Sequence, residues 1–181
     1  ALALISGRPL AQLGALFAPL RLPAAGLHGL ERRRADGTLT APPPPPVLAA
    51  VRRRLQTYAA GRPGLLLEDK GASLALHYRL APQRGAAVRR MARRLSAANA
   101  GTLRLIDGDH VVELQQAGMD KGRAIESFLA EPPFRGRRPV FAGDDTTDED
   151  GFRSVTARGG LAIKVGDRRR GASLSAITRY A

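Results

Sequence analysis

The chain has 181 residues, 44% of them hydrophobic, which is enough to bury the core of one or two domains. Its formal net charge is +13, and it has no cysteine, which excludes a disulfide framework and a thiolate zinc site. No apolar run approaches the length of a membrane span, and the apolar start Ala1-Leu2-Ala3-Leu4-Ile5 lacks the basic region of a signal peptide, so a cytoplasmic protein with no membrane partner is expected.

Residues 1–5 read as a strand entered in its middle, so a segment before Ala1 is expected. Ser6-Gly7-Arg8-Pro9 breaks that strand, and residues 10–17 read as a short helix. Asp36-Gly37 signals a hairpin between residues 27–33 and 38–40. The run Pro42 to Pro46 is a stiff spacer, and a helix follows over residues 47–60. From Gly64 the pattern changes. A strand over 65–68 precedes residues 72–78, where Leu74, Leu76 and Tyr78 alternate with Ser73, Ala75 and His77. Residues 86–98 form an amphipathic helix, with Val88, Met91, Ala92 and Leu95 as its apolar stripe and Arg89, Arg90, Arg93 and Arg94 on its wet face. Strands are expected at 102–106 and 110–114.

Further on, a helix over 120–130 carries Ala124, Ile125, Phe128 and Leu129. Strands at 140–142 and 161–165 flank a helix at 148–157. Strands alternating with helices argue for a parallel sheet with right-handed crossovers. The fold class is therefore α/β, a Rossmann-like core in two parts (1–62 and 118–181) with a small ββαββ module (63–117) inserted between them.

The basic residues are nearly all arginine, with lysine at positions 70, 121 and 164. The arginines fall in scattered groups, aromatics are 4% and Trp is absent, so platforms for stacking bases are scarce. Most of the charge reads as an Arg-rich solvated surface rather than a nucleic-acid site.

The segment richest in chemistry is Gly143-Asp144-Asp145-Thr146-Thr147-Asp148-Glu149, directly after the strand Val140-Phe141-Ala142. Ligands bind at that end of a strand in open α/β sheets. Three carboxylates packed this closely repel one another unless a cation neutralises them, and Mg²⁺ suits hard oxygen ligands. On its own the segment also reads as an acidic turn capping the next helix.

Three motifs stand in order: Leu4-Ile5-Ser6-Gly7-Arg8, Asp120-Lys121-Gly122, and the acidic segment from Gly143 to Glu149. This order resembles three of the four signature motifs of haloacid-dehalogenase-type phosphatases. Ala25-Gly26-Leu27-His28-Gly29-Leu30-Glu31-Arg32, Glu68-Asp69-Lys70-Gly71, Leu76-His77-Tyr78-Arg79 and Val111-Val112-Glu113-Leu114 are similar to segments of the trehalose-6-phosphate phosphatase family. The likeness covers most of the chain, from about Ala3 to Gly166.

The resemblance implies a core closed by the inserted cap, and Mg²⁺-dependent hydrolysis of trehalose 6-phosphate to trehalose and phosphate through an aspartyl-phosphate. It assigns Ser6, Lys121 and Asp145 to catalysis and Asp144 and Asp148 to the metal, with Asp145 also near it. Lys121 would stabilise charge on the phosphoryl oxygens, where a solvated first-turn lysine would sit poorly beside a helix N-terminus. Ser6 would donate to the phosphoryl group; without the resemblance it reads as an N-cap. Arg8 would contact substrate or pair with a carboxylate. His28, Glu31 and Arg32 would line a cleft, and Glu68, Lys70 and Glu113 would hold sugar hydroxyls. The bland reading of these last three is a salt-bridged surface. His77 and His110 are expected to be structural.

The sequence departs from the family pattern in two places. The Asp-x-Asp-Gly-Thr segment, which carries the nucleophile and the general acid and base ahead of the serine motif, is not in this sequence. Asp36-Gly37-Thr38-Leu39 resembles its tail but follows the serine motif and lacks a preceding strand, so it is not the nucleophile. At the other end, residues 167–181 show no clear closing helix. The alternatives are a phosphatase for another sugar phosphate, or an inactive remnant that only binds ligand.

Overall fold

The computed structural model describes residues 1–166, and the C-terminal stretch discussed above lies outside the described residues. The chain divides into two compact units, one built from residues 1–41 and 119 onward, the other from residues 42–118. In chain order the first unit opens with strand β1 (Leu4–Ile5), helix α1 (Leu10–Leu16) and strands β2 (Ala24–Gly26), β3 (Glu31–Arg33) and β4 (Leu39–Thr40). The second unit holds α2 (Val47–Ala59), β5 (Leu66–Asp69), β6 (Ser73–His77), α3 (Gly85–Ala97), β7 (Leu103–Gly108) and β8 (Val111–Gln116). The chain then returns to the first unit through α4 (Lys121–Leu129), β9 (Val140–Gly143), α5 (Glu149–Ala157) and β10 (Leu161–Lys164).

The second unit is an antiparallel sheet in the order β5-β6-β8-β7. Side chains alternate across a strand, so each cross-strand row lies on one face. Leu74, Leu76, Val112 and Leu114 make the apolar face, and Leu48, Val51 and Leu55 of α2 and Val88, Ala92 and Leu95 of α3 pack with them in one core. Each of these Leu and Val side chains contributes about 1.5–3 kcal/mol on full burial. Helix α2 therefore packs on this sheet, although the sequence reading placed it before residue 62 in the core. Its stripe at i, i+3 and i+7 finds the Leu and Val face of β6 and β8, which no periodicity argument could locate.

In the first unit β1 pairs with β2 in parallel, and β2, β3 and β4 continue antiparallel. A separate parallel pair is formed by β9 and β10. Helix α4 serves both sheets: Ala124 and Phe128 pack with Ala25, while Ile125 packs with Phe152, Val155 and Ala162. Ile5 and Leu129 touch both clusters. A cavity of about 610 Å³ is lined by Ala1, Leu2, Ala3 and Ile5, by Val140 and Phe141, and by α4 residues including Ile125 and Phe128. Leu2 and Val140 are each 63% exposed. Among the described residues β1 pairs with β2 alone and β9 with β10 alone, so each strand keeps a second edge unpaired. No helix among the described residues is long and apolar enough to cross a membrane.

Candidate active site

The acidic loop leaves β9 and turns directly into helix α5. Its organiser is Asp148, which is 4% exposed. Asp148 Oδ2 accepts the backbone N–H groups of Asp144 (3.0 Å) and Asp145 (2.9 Å), and its Oδ1 accepts Lys121 Nζ (2.6 Å). Three donors thus converge on one carboxylate. Gly143 makes room for this arrangement, since a Cβ there would lie 2.3 Å from Asp148 Cγ. Glu149 and Asp150 occupy the first turn of α5, where the helix dipole favours negative charge.

Asp144 and Asp145 are exposed. Asp145 Oδ1 accepts the N–H of Thr146 at 2.6 Å, and the carboxylate of Asp144 makes no hydrogen bond or ion pair among the described residues. No group of three His, Cys, Asp or Glu side chains that could hold a metal occurs among the described residues. Mg²⁺ commonly takes one or two protein carboxylates and completes its shell with water and substrate phosphate oxygens. The Asp144 and Asp145 carboxylates fit that pattern. Asp148, which the sequence reading gave to the metal, has both oxygens bonded to protein donors.

Lys121 is the first residue of α4, and Asp120 caps that helix by accepting the N–H of Arg123 at 2.8 Å. Lys121 is 7% exposed, and Asp148 holds its ammonium 27 residues away in sequence. Gly122 lets α4 approach α5, because a Cβ there would meet Asp150 O at 2.6 Å. The first-turn lysine is thus buried and charge-paired, not solvated.

The loops after β1 and β2 meet beside this helix start. His28 N donates to Ser6 O (2.9 Å) and Leu27 N to Arg8 O (3.0 Å). The His28 ring is buried against Gly7, where a Cβ would lie 2.7 Å from both Cε1 and Nε2. Leu27 and His28 have φ of 48° and 57°, a conformation L side chains rarely adopt. Gly29 follows at φ 109°, and a Cβ there would lie 3.1 Å from Asp120 O, so this loop packs on the start of α4. Ser6 Oγ accepts the N–H of Arg8 at 3.2 Å, and the exposed Arg8 reaches Gln12 Oε1 at 3.4 Å.

Two predicted substrate residues are engaged within the unit. Glu31 Oε2 accepts the N–H of Leu10 at 2.6 Å, capping the start of α1. Arg32 bonds Glu131 and Ser127 O and lies over the Phe128 ring, 5.0 Å from its centroid. Glu131 also takes Arg34 at 2.7 Å. Burial alone would raise the Glu131 pKa, but bonds and charge from Arg32 and Arg34 outweigh it and hold the group below its ordinary value. Glu131 lies in a segment the sequence reading left without a role, and nothing local in the sequence marks it.

In the second unit Glu68, Ala75 and Glu113 form one cross-strand row on the sheet face opposite the helices. Glu113 is 7% exposed and accepts Ser73 Oγ (2.6 Å) and Lys70 Nζ (2.9 Å). Glu68 Oε2 lies 2.9 Å from His77 Nε2. Lys70 and Glu113, 43 residues apart in sequence, are thereby brought together as a fixed polar pair.

Comparison with known proteins bears on this geometry. A trehalose-phosphatase family model matches residues 1–180. The chain belongs to the trehalose-phosphatase family. Similar relatives are the trehalose-6-phosphate phosphatase of Escherichia coli strain K12, 45% identical over 92% of this chain and 62% of that protein, and a probable trehalose-phosphate phosphatase of Sinorhizobium fredii, 41% identical over 92% of this chain and 63% of that protein. The chain thus spans somewhat under two thirds of these relatives. Among solved structures, the C-terminal domain of the Candida albicans trehalose-6-phosphate phosphatase superposes with a TM-score of 0.81 at 20% identity, covering 98% of this chain and 72% of that one. Family membership and the haloacid-dehalogenase-like α/β fold are in accord with the sequence expectation.

Proposed function

We propose that the complete protein is a phosphatase that hydrolyses trehalose 6-phosphate to trehalose and phosphate in the cytoplasm. The observation that carries this reading is the buried Lys121–Asp148 pair at 2.6 Å, with Asp148 also accepting two N–H groups of the loop that follows β9. This places a fixed ammonium beside two exposed carboxylates at a strand end, and with a divalent cation on those carboxylates the arrangement would suit a dianionic phosphoryl group. The names and identities of the relatives support the substrate.

In this reading the ammonium of Lys121 neutralises the phosphoryl oxygens as charge builds in transfer, and Asp148 keeps it aimed. Ser6, at the end of β1, donates a hydrogen bond to the same oxygens. Asp144, with Asp145 directly or through water, would hold Mg²⁺, which would offset phosphate charge and fix the geometry of attack. The nucleophilic aspartate would arrive on an extended segment that pairs with β1 and β9 across the apolar cavity between them. Its carboxylate oxygen would bond phosphorus as the bond from phosphorus to the sugar oxygen breaks, with the second aspartate of that segment giving the leaving oxygen its proton. The same aspartate, now a base, would take a proton from the water that attacks phosphorus, releasing phosphate and freeing the nucleophile. Glu113, fixed by Lys70 and Ser73, and Glu68 would accept sugar hydroxyls in the cap, while Arg8 and His28 would face the phosphate end.

The test is phosphate release from trehalose 6-phosphate by the complete protein, with Mg²⁺ and with chelator, and by residues 1–181 alone. Mg²⁺-dependent release by the complete protein and none by the shorter chain is expected. Faster release from another sugar phosphate would reassign the substrate, and no release from any sugar phosphate would overturn the reading.

A further inference from the structure

Helices α2 and α3 contain no carboxylate. The chain has no Asp or Glu between Asp36 and Glu68, and none between Asp69 and Asp107. A groove of about 860 Å³ runs between these helices, lined by Arg53, Arg54, Arg62, Arg90 and Arg94 together with Tyr58 and small or apolar side chains. On α3, Arg90 and Arg94 repeat about 6 Å apart along the axis, one helical turn. Neighbouring arginines outside the groove find local partners: Arg52 pairs with Asp69 (2.5 Å), Arg93 with Asp107 (3.8 Å), and Arg89 donates to Tyr78 Oη (2.6 Å). Arg53, Arg54, Arg90 and Arg94 form no ion pair among the described residues. In sequence these arginines are scattered, and the fold gathers them onto both banks of one groove. Five like charges with no counter-charge among the lining residues make a strongly positive, focused potential.

We propose that this groove grips the phosphodiester backbone of nucleic acid without reading its sequence. The guanidinium fork matches phosphate oxygens in a bidentate way. Contacts to phosphate fix position and carry no base information. Apart from its guanidinium groups, the groove offers little that could read bases. The face of Tyr58 is covered by the Arg62 guanidinium, 4.4 Å from the ring centroid, so it is not a stacking platform. No Asn or Gln lines the groove to bond base edges. The groove shares no residue with the candidate active site, so this surface stands independently of the phosphatase reading.

The experiment is fluorescence anisotropy of the complete protein with two labelled 20-base-pair DNA duplexes of unrelated sequence, from 50 to 300 mM salt. Equal affinities are expected, with log affinity falling against log salt at a slope of about −4.5 for five phosphates neutralised. The triple variant R53Q/R90Q/R94Q should flatten the slope by about 3 units and weaken binding at least tenfold at 100 mM salt. The charge-matched variant R168Q/R169Q/R170Q should keep most of the slope. Thermal unfolding midpoints of both variants check that folding is intact. Equal loss in the two variants, an unchanged slope in the groove variant, or equal competition by polyglutamate of matched charge would each overturn the proposal, the last because the groove would then take acidic polypeptides.

Discussion

Replacing Asp148 with Asn probes the site at its most committed point. The carboxylate accepts Lys121 Nζ at 2.6 Å through one oxygen and two backbone N–H groups through the other. An amide has one acceptor oxygen. Its NH₂ group must therefore face either the ammonium or the two amides, a donor against donors. Removing one member of a buried ion pair costs about 3–5 kcal/mol, because the surviving charge stays desolvated. Lys121 is 7% exposed, so water relieves little of that cost. Amide hydrogen exchange of α4 and α5 in the complete protein reads the effect locally. At about 1.4 kcal/mol per decade, protection should fall by about two to four decades. A second measurement separates the pair from general damage: the double variant D148L/K121M should lose about 1–3 kcal/mol less than the sum of its single variants. Protection within half a decade of wild type in D148N, or strict additivity in the cycle, would refute the reasoning.

Gly143→Ala places a Cβ 2.3 Å from Asp148 Cγ, and it should lower the thermal midpoint by an amount equivalent to about 1–3 kcal/mol while displacing Lys121, so that phosphate release falls with it; an active variant of native stability would show that the carboxylate is free to move. Lys70→Met leaves Glu113 bonded to Ser73 but without its cation, and steady-state kinetics of the complete enzyme should show KM for the sugar phosphate rising more than kcat falls; a fall in kcat alone would take Lys70 out of binding. The bond from Arg158, helped by Ser154 against the opposing burial, holds Glu126 below its ordinary value, and Arg32 and Arg34 do the same for Glu131 against a larger effect of burial. Because these folded values are lowered, their stabilisation is complete above the unfolded glutamate pKa and is lost as pH falls below it and through the folded values. Urea unfolding should show that decline in the wild type and less of it in Glu126→Gln, and a flat profile from pH 5 to pH 2.5 would count against both assignments.

Local pattern made much of this molecule readable. The alternation around Leu74 and Leu76 and the 3.6-residue stripe of Val88, Ala92 and Leu95 placed β6 and α3 within a residue of their observed bounds. The acidic loop announced itself because three carboxylates after an apolar strand are costly without a purpose. What stayed hidden depends on partners distant in sequence. Asp148 looks like Asp144 and Asp145 in the sequence, and only the arrival of Lys121 and the tight turn at Gly143 makes it a buried acceptor. Arg32 looks available for substrate until Glu131, 99 residues later, claims it. The assignment of α2 failed for the same reason, since an apolar stripe states that a helix must be covered without saying by what.

The division into a contiguous unit and a split one also bears on how the chain folds. Residues 42–118 make their sheet from neighbouring hairpins and one crossing helix, with short excursions between partners. The other unit must join α4 to β2 across that whole stretch, and the entropy of closing so long a loop is spent before any contact rewards it. Folding of the middle unit first replaces a long flexible loop with a structured connection. A hierarchical order follows, in which pulse-labelled amides of β6 and β8 gain protection before those of α4, and in which lesions in α2 or α3 slow the assembly of a site that contains none of their residues.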